Sequence, residues 1–253
     1  CDRYLGLIGF MSLMPTIAVL LPTKNGEKYL KELLTSVSSQ VGNFASVDII
    51  GVDSGSSDET RGIIAQYGGR VICIAPEQFG HGRTRNLVAS KTRAEYLVFL
   101  TQDATPANSE WLRNLIAPLL SDVNIAGAYS RHLPRADCHP MEWRRIVQHE
   151  PCGKVTSSVS EAIDPGYLKE VPFVHFFSNV SSVLRRDIWE RFPFPEVDYG
   201  EDQLWARLVL GAGYKIAYQA DSLVCHSHGY GVWNNLRRHF DHGRAAGWQG
   251  QIS

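Results

Sequence analysis

Cysteine supplies no framework for this chain. Cys1, Cys73, Cys138, Cys152 and Cys225 are odd in number, scattered, and include no CxxC pair. That usage argues against a disulfide scaffold and a structural zinc site, and it suits a reducing cytosol. Long apolar runs are missing as well: no stretch approaches the roughly 20 residues needed to span a bilayer. Nor is there an excess of one charge. With 25 Lys and Arg against 26 Asp and Glu, the formal net charge is −1, so no whole-molecule field draws the chain to nucleic acid or to an anionic membrane. A GxxxxGK[ST] phosphate loop is absent, and no GxGxxG follows the first strand. Triphosphatase and dinucleotide-dehydrogenase readings lose their main support. There are no internal repeats and no low-complexity tracts.

What remains is an ordinary globular composition, 44% hydrophobic and 20% charged over 253 residues, enough for one large domain with a substantial core. The opening CDRYLGLIGFMSLM lacks a strong basic n-region and a small-residue cleavage site, and residues 1–14 read as a leader outside the fold. From Thr16 onward, short apolar runs alternate with helical spacing. IAVLLP (17–22) is a strand buried on both faces. Leu30, Leu33, Leu34 and Val37 then lie on one helix face. VDIIGVD (47–53) is a second strand, followed by a helix with Ser56 and Glu59 in capping-box positions. VICIA (71–75) is a third, with a helix over about 84–91. EYLVFL (95–100) is a fourth, and Ser109 is placed to cap a helix carrying Leu112, Leu115, Ile116 and Leu119. This order predicts an α/β fold, a Rossmann-like, mostly parallel sheet sandwiched by helices. Beyond Arg131 the pattern loosens, with helices expected at 186–191 and 201–210 and a strand at 215–218.

Ligands of open α/β sheets bind beyond the carboxyl ends of the strands. Those ends read Thr23-Lys24-Asn25-Gly26, Asp53-Ser54-Gly55-Ser56, Glu77 to Gly82 with Arg83 and Arg85, and Thr101-Gln102-Asp103. One such loop is plain turn chemistry; four at one edge favour a binding site. Asp53 can accept from a base or ribose, and Arg83 and Arg85 can neutralise phosphate. Asp103 can hold a hard divalent ion, Mg²⁺ or Mn²⁺, against a diphosphate. Gly80 and Gly82 let backbone approach a ligand closely.

The segments PTKNGEKYLKELLTSVSSQ, VDSGSSDET, GRTRN, YLVFLTQDA and YGEDQLWARLVLGAGYKIAY, in this order, resemble the motif series of family 2 glycosyltransferases. EQFGHGRTRN, FLTQDATP, FFSNVSSVLRRDIWE and HSHGY are similar to the bacterial rhamnosyltransferase subgroup. The resemblance runs from about Thr16 to Phe240. It implies an inverting GT-A enzyme that moves a sugar, with L-rhamnose from dTDP-L-rhamnose as the leading donor. The acceptor is a hydroxyl of a glycan or lipid-linked glycan in bacterial surface polysaccharide synthesis. It divides the domain, 15–240, into a nucleotide-sugar-binding half (15–131) and an acceptor-binding half (132–240), with 241–253 as a tail. The implied setting is the cytoplasm, with peripheral association at the inner face of the membrane.

Carried over by residue, Asp53 and Arg85 match nucleotide contacts and Thr23 lies in the loop against the base. Asn25, His81, Arg83 and Gln102 join the donor-binding set. Asp103 matches the last acid of the DxD metal motif, where Thr101 replaces the usual first Asp; Ser54 likewise replaces a usual second Asp after strand two. Glu201-Asp202 matches the acidic pair at a helix start, with Asp202 as general base and Glu201 orienting it or contacting the acceptor. Read without the resemblance, the pair is equally an acidic helix N-terminus favoured by the macrodipole. His226 joins Asp103 as a metal ligand, with His228 two residues on. Phe176, Phe177, Ser178 and Asn179 read either as a pocket wall or as a buried strand with a polar turn. Trp233, Leu236 and Phe240, with Arg237, Arg238 and Arg244, form a stripe suited to packing or to a membrane surface. Two other readings stand beside the transferase: a nucleotidyltransferase that makes a nucleotide sugar, and a non-catalytic nucleotide-sugar or glycan-binding domain.

Overall fold

The computed structural model describes residues 14–40, 42, 44–149, 158–160, 176–197 and 199–227. Residues 1–13, His228 and the stripe from Trp233 to Arg244 lie outside them, as does the 241–253 tail. The first half follows the alternation expected: β1 (Thr16–Thr23), α1 (Glu27–Ser38), β2 (Ser46–Asp53), α2 (Thr60–Gln66), β3 (Arg70–Cys73), a 3₁₀ turn (Pro76–Gln78), α3 (His81–Ala89) and β4 (Tyr96–Leu100). Then come β5 (Thr105–Pro106), α4 (Trp111–Ser121), β6 (Ile125–Leu133), α5 (Pro140–His149), β7 (Ser158–Ser160), β8 (Ser181–Arg185), α6 (Arg186–Arg191), α7 (Glu201–Gly211) and β9 (Lys215–Cys225).

One sheet unites the strands in the order β3-β2-β1-β4-β8-β6-β9-β5, with β7 also paired to β9. β1 to β4 are parallel to one another. β8 runs antiparallel to both β4 and β6, and β6 is parallel to β9. The carboxyl ends of β1, β2, β3, β4, β6 and β9 therefore share an edge with the start of β8. That edge positions the site.

The period of two in each strand divides the core between the faces of the sheet. Ile17, Val19 and Leu21 of β1 pack with α1, α2 and α4. Ala18 and Leu20 face the opposite cluster, which holds Val88 of α3, Trp189 of α6 and Trp205 of α7. Helices α3 and α7 thus lie on one face. They meet where the Gly82 backbone comes so close to Pro195 that a Cβ would sit 2.1 Å from its carbonyl oxygen. The close approach at Gly82 is to protein, which corrects the expectation of a ligand there.

Several boundaries differ from the sequence reading. The cap position of α2 falls at Glu59 and not Ser56, without a side-chain cap bond; the Asp58 carboxylate accepts from the Thr60 amide at 3.1 Å, while the Ser56 hydroxyl turns to Asp53. Before α4, Asn108 rather than Ser109 accepts, from the Glu110 amide at 3.0 Å. β6 was not foreseen. Its IAGAYS stretch is buried but built from small residues, since an added Cβ at Gly127 would lie 2.9 Å from Trp205; small residues carry little apolar signal.

Gly82→Ala is expected to lose about 2–3 kcal/mol to overpacking, measured by urea denaturation. Gly80→Ala, with room for a Cβ 3.6 Å from the nearest atom, is expected to lose less than about 1 kcal/mol.

Candidate active site

The loops after β1, β2 and β4 are tied into one surface. Gln102 grips Lys24 twice, its Oε1 accepting from the Lys24 amide at 2.9 Å and its Nε2 donating to the Lys24 carbonyl at 3.0 Å. Asn25 adopts φ 49°, a left-handed conformation that Asn tolerates better than most side chains. Its Oδ1 accepts from the Ser57 amide at 2.9 Å, and the side chain is exposed. Thr23 is buried and donates to the Val52 carbonyl at 3.2 Å. Asp53, 1% exposed, accepts from the Ser56 amide at 3.0 Å and from the Ser56 hydroxyl, with Arg61 3.9 Å away. In this structure Asp53 shapes its own loop; a carboxylate has further lone pairs with which to accept from a ligand.

The two arginines of α3 have different surroundings. Arg83 is half exposed and lies 3.5 Å from Glu196. Arg85 is buried, its Nη1 donating to Glu201 at 2.7 Å and to the His81 carbonyl at 3.2 Å. His81 itself is exposed and packs edge-on against Phe79, ring centroids 5.2 Å apart.

Beyond β4, the Asp103 carboxylate lies 3.5 Å from His226 Nε2, the two side chains 20% and 8% exposed. A carboxylate oxygen beside an imidazole nitrogen fits a hard-to-borderline divalent ion. No third His, Cys, Asp or Glu joins them among the described residues. The enclosed Thr101 hydroxyl, in the position of the missing first Asp, has no hydrogen-bond partner among them. An ion here would draw its other ligands from the diphosphate and water.

Arg135, which sequence reasoning missed, clamps this corner. It donates to the Asp103 carbonyl at 3.1 Å and to Thr105 Oγ1 at 2.7 Å, pairs with Glu32 at 3.2 Å, and stacks over Tyr29 at 4.4 Å. Its amide donates to Ser227 Oγ at 3.1 Å, next to His226. Its position two residues past β6 was hidden with that strand.

The acidic pair opens α7. Gly200 precedes it at φ 79°, a conformation that favours glycine, and this turn sets the first helical residues toward the sheet. Glu201 is 5% exposed and Asp202 partly exposed. Asn179, 1% exposed, joins them: its amide donates to Asp202 at 3.2 Å and its Nδ2 to Glu201 at 3.2 Å. Its Oδ1 accepts from Ser182 at 2.8 Å. Asn179 therefore organises the acids as well as lying at the site, while Phe177 beside it is buried and Phe176 exposed. Next to Asn179, the Val180 carbonyl accepts from the Thr101 amide at 3.0 Å, which places Asp202 and Asp103 on the same edge. Burial, then the neighbouring Glu201 charge, raise the Asp202 carboxyl to about 7, against the opposing effects of Asn179 and Arg85.

This sheet, with a partly exposed, proton-hungry carboxylate and an Asp–His pair at its carboxyl edge, has the architecture of GT-A glycosyltransferases. The mannosyltransferase PcManGT from Pyrobaculum calidifontis, solved with GDP-Man and Mn²⁺, superposes with a TM-score of 0.65 at 19% identity, over 88% of this chain and 61% of that one. TarS 1–349 of S. aureus, solved with UDP, gives 0.62 at 19% identity, over 84% of this chain and 60% of that one. The chain thus spans about three fifths of each of these solved structures. Closer in sequence are two curated proteins. The O-antigen chain rhamnosyltransferase WbaN of Salmonella anatum is 34% identical over 234 residues, covering 91% of this chain and 72% of that protein. RfbN of Salmonella typhimurium, which carries the same description, is 33% identical, with 90% and 71% covered. The Glycosyl transferase family 2 profile matches residues 18–188. The chain belongs to glycosyl transferase family 2 and is a glycosyltransferase.

The raised Asp202 carboxyl has a consequence for stability. An unfolded Asp gives up its proton near pH 4, the folded one near 7, so stability falls as pH rises between these values and is level above. Asp202→Asn removes that penalty. Its melting temperature is expected to exceed the wild-type value at pH 8 and to converge with it toward pH 4, read by thermal unfolding across pH.

Proposed function

We propose that this glycosyltransferase moves L-rhamnose from dTDP-L-rhamnose, with inversion, to a hydroxyl of a glycan or lipid-linked glycan. The identity to two O-antigen chain rhamnosyltransferases over nine tenths of the chain supports the sugar and the pathway. The observation that carries the chemistry is Asp202: a carboxyl at the open edge of the sheet, partly exposed and raised to about 7, as a general base working near neutral pH needs. Family membership favours transfer over the nucleotidyltransferase and non-catalytic readings.

In this reading the donor lies across the ends of β1, β2 and β4, with Thr23, Asn25, Asp53 and Gln102 shaping the nucleotide end. Arg83 and His81, both exposed at the start of α3, face the diphosphate. Asp202 takes the proton of the acceptor hydroxyl as its oxygen attacks the anomeric carbon, and the bond to the diphosphate oxygen breaks on the opposite side. Asp103 and His226 would hold a divalent ion, Mg²⁺ or Mn²⁺, whose charge stabilises the departing diphosphate. Residues 15–131 then serve the donor and 132–240 the acceptor. No helix among the described residues is long and apolar enough to cross a membrane. We place the reaction in the cytoplasm, with a lipid-linked acceptor met at the membrane's inner face.

A panel of dTDP-rhamnose, UDP-glucose, UDP-galactose and GDP-mannose, with and without Mn²⁺, tests the assignment through donor hydrolysis and thermal shift. Preference for dTDP-rhamnose with metal is expected; preference for another nucleotide would remove rhamnose from the proposal. Asp202→Ala is expected to lower kcat by about 100-fold or more, and Asp103→Ala to weaken metal dependence and turnover together. Full activity in both variants contradicts the assigned roles.

A further inference from the structure

We infer that Arg85 and Glu201 are positioning residues, a buried charge pair that sets the orientation and protonation of Asp202 without touching the donor. The inference rests on the reading of Asp202 as the base. It departs from the nucleotide contact that the family resemblance implies for Arg85.

The geometry commits Nη1 of Arg85 to protein, while its buried Nε has no hydrogen-bond partner among the described residues. Its side chain and that of Glu201 are each 6% exposed, with Nη1 to Oε1 at 2.7 Å. The same Nη1 also donates to the His81 carbonyl. The same Glu201 oxygen takes a second bond, from Asn179 Nδ2 at 3.2 Å. Turning the guanidinium toward a ligand would strand the Glu201 carboxylate in the interior, which is strongly unfavourable for a buried pair. Arg83, two residues earlier and on the exposed side of α3, meets a solvent-facing Glu196 instead and can swing without that cost.

The pair reaches Asp202 by two routes. One is mechanical. Asn179 donates through its side chain to Glu201 and through its amide to Asp202, so the bond from Arg85 to Glu201 holds the residue that orients the base. The other is electrostatic. Among the described residues, the charged groups acting on Asp202 are Glu201 on its own helix and Arg85 on α3, while the segment before β8 presents the neutral Asn179. Glu201 works against ionisation of Asp202 and Arg85 works for it. Burial raises the Asp202 carboxyl most; Glu201 adds to that rise and Arg85 opposes it, so the pair adjusts the affinity for the proton that burial creates.

The test is the pH dependence of kcat/KM, with donor KM, for wild type, Glu201→Gln, Arg85→Gln and the double variant. The acid limb is expected to move down by roughly one pH unit in Glu201→Gln and up by a similar amount in Arg85→Gln. The double variant should fall between, with donor KM within about threefold of wild type throughout. If Arg85→Gln fails to fold, Glu201→Gln and the uncharged double variant carry the test. An acid limb unmoved by Glu201→Gln, or a donor KM raised tenfold or more in Arg85→Gln with the limb in place, would overturn the inference. Asp202→Asn separates the two levels: if it keeps wild-type activity the base assignment itself fails, whereas a limb lost in Asp202→Asn but fixed in the other variants removes only the role of the pair.

Discussion

The contact between Arg85 and Glu201 is the constraint on which the arrangement of the polar sheet edge depends. It joins α3 to α7 across one face of the sheet, and both ions are out of water. Desolvating two charges costs several kcal/mol each, and a pair of this kind is weak evidence for stability by itself. Its consequence is geometric. With Glu201 held, the first turn of α7 cannot rotate about its axis, and Asp202 stays where the Asn179 amide reaches it. Gly82 belongs to the same constraint, because only a residue without a side chain allows α3 to come close enough to Pro195.

From that point the edge can be followed strand by strand. Asn179 leads into β8, which lies beside β4. The end of β4 delivers Thr101 to Val180 and Asp103 to the Asp–His pair. Arg135 ties that pair to the end of β6, and His226 hangs from the end of β9, its amide bonded to Leu133 at 2.9 Å. Strand β8, antiparallel to β4 and β6 on either side of it, makes this possible. It brings a chain start, rather than a chain end, to the polar edge, and so delivers Asn179 between the loop after β4 and the acidic pair.

Much of this was legible in the sequence. The continuous apolar runs of β1, β2 and β4, with glycine and polar residues where they stop, marked the parallel sheet and the edge at which its polar loops gather. Glu201 and Asp202 stood out as acids at a helix start. The second half was hidden for physical reasons. β6 uses Ala, Gly and Ser to admit Trp205, so its pattern is one of small size rather than of hydrophobicity. β8 is short and opens with two buried serines, Ser181 and Ser182. With these strands unseen, Arg135 had no place in a site and Asn179 no partners. Arg85 illustrates a different limit: a sequence shows that an arginine sits near a glycine-rich loop at the strand ends but not which way it faces, and here its Nη1 faces Glu201.

The most direct measurement is a ¹³C NMR titration of the Asp202 carboxyl in the wild-type protein, assigned with Asp202→Asn. A group still protonated at pH 5 that titrates near pH 7 is expected. A midpoint near 4, the value of an exposed aspartate, would contradict it.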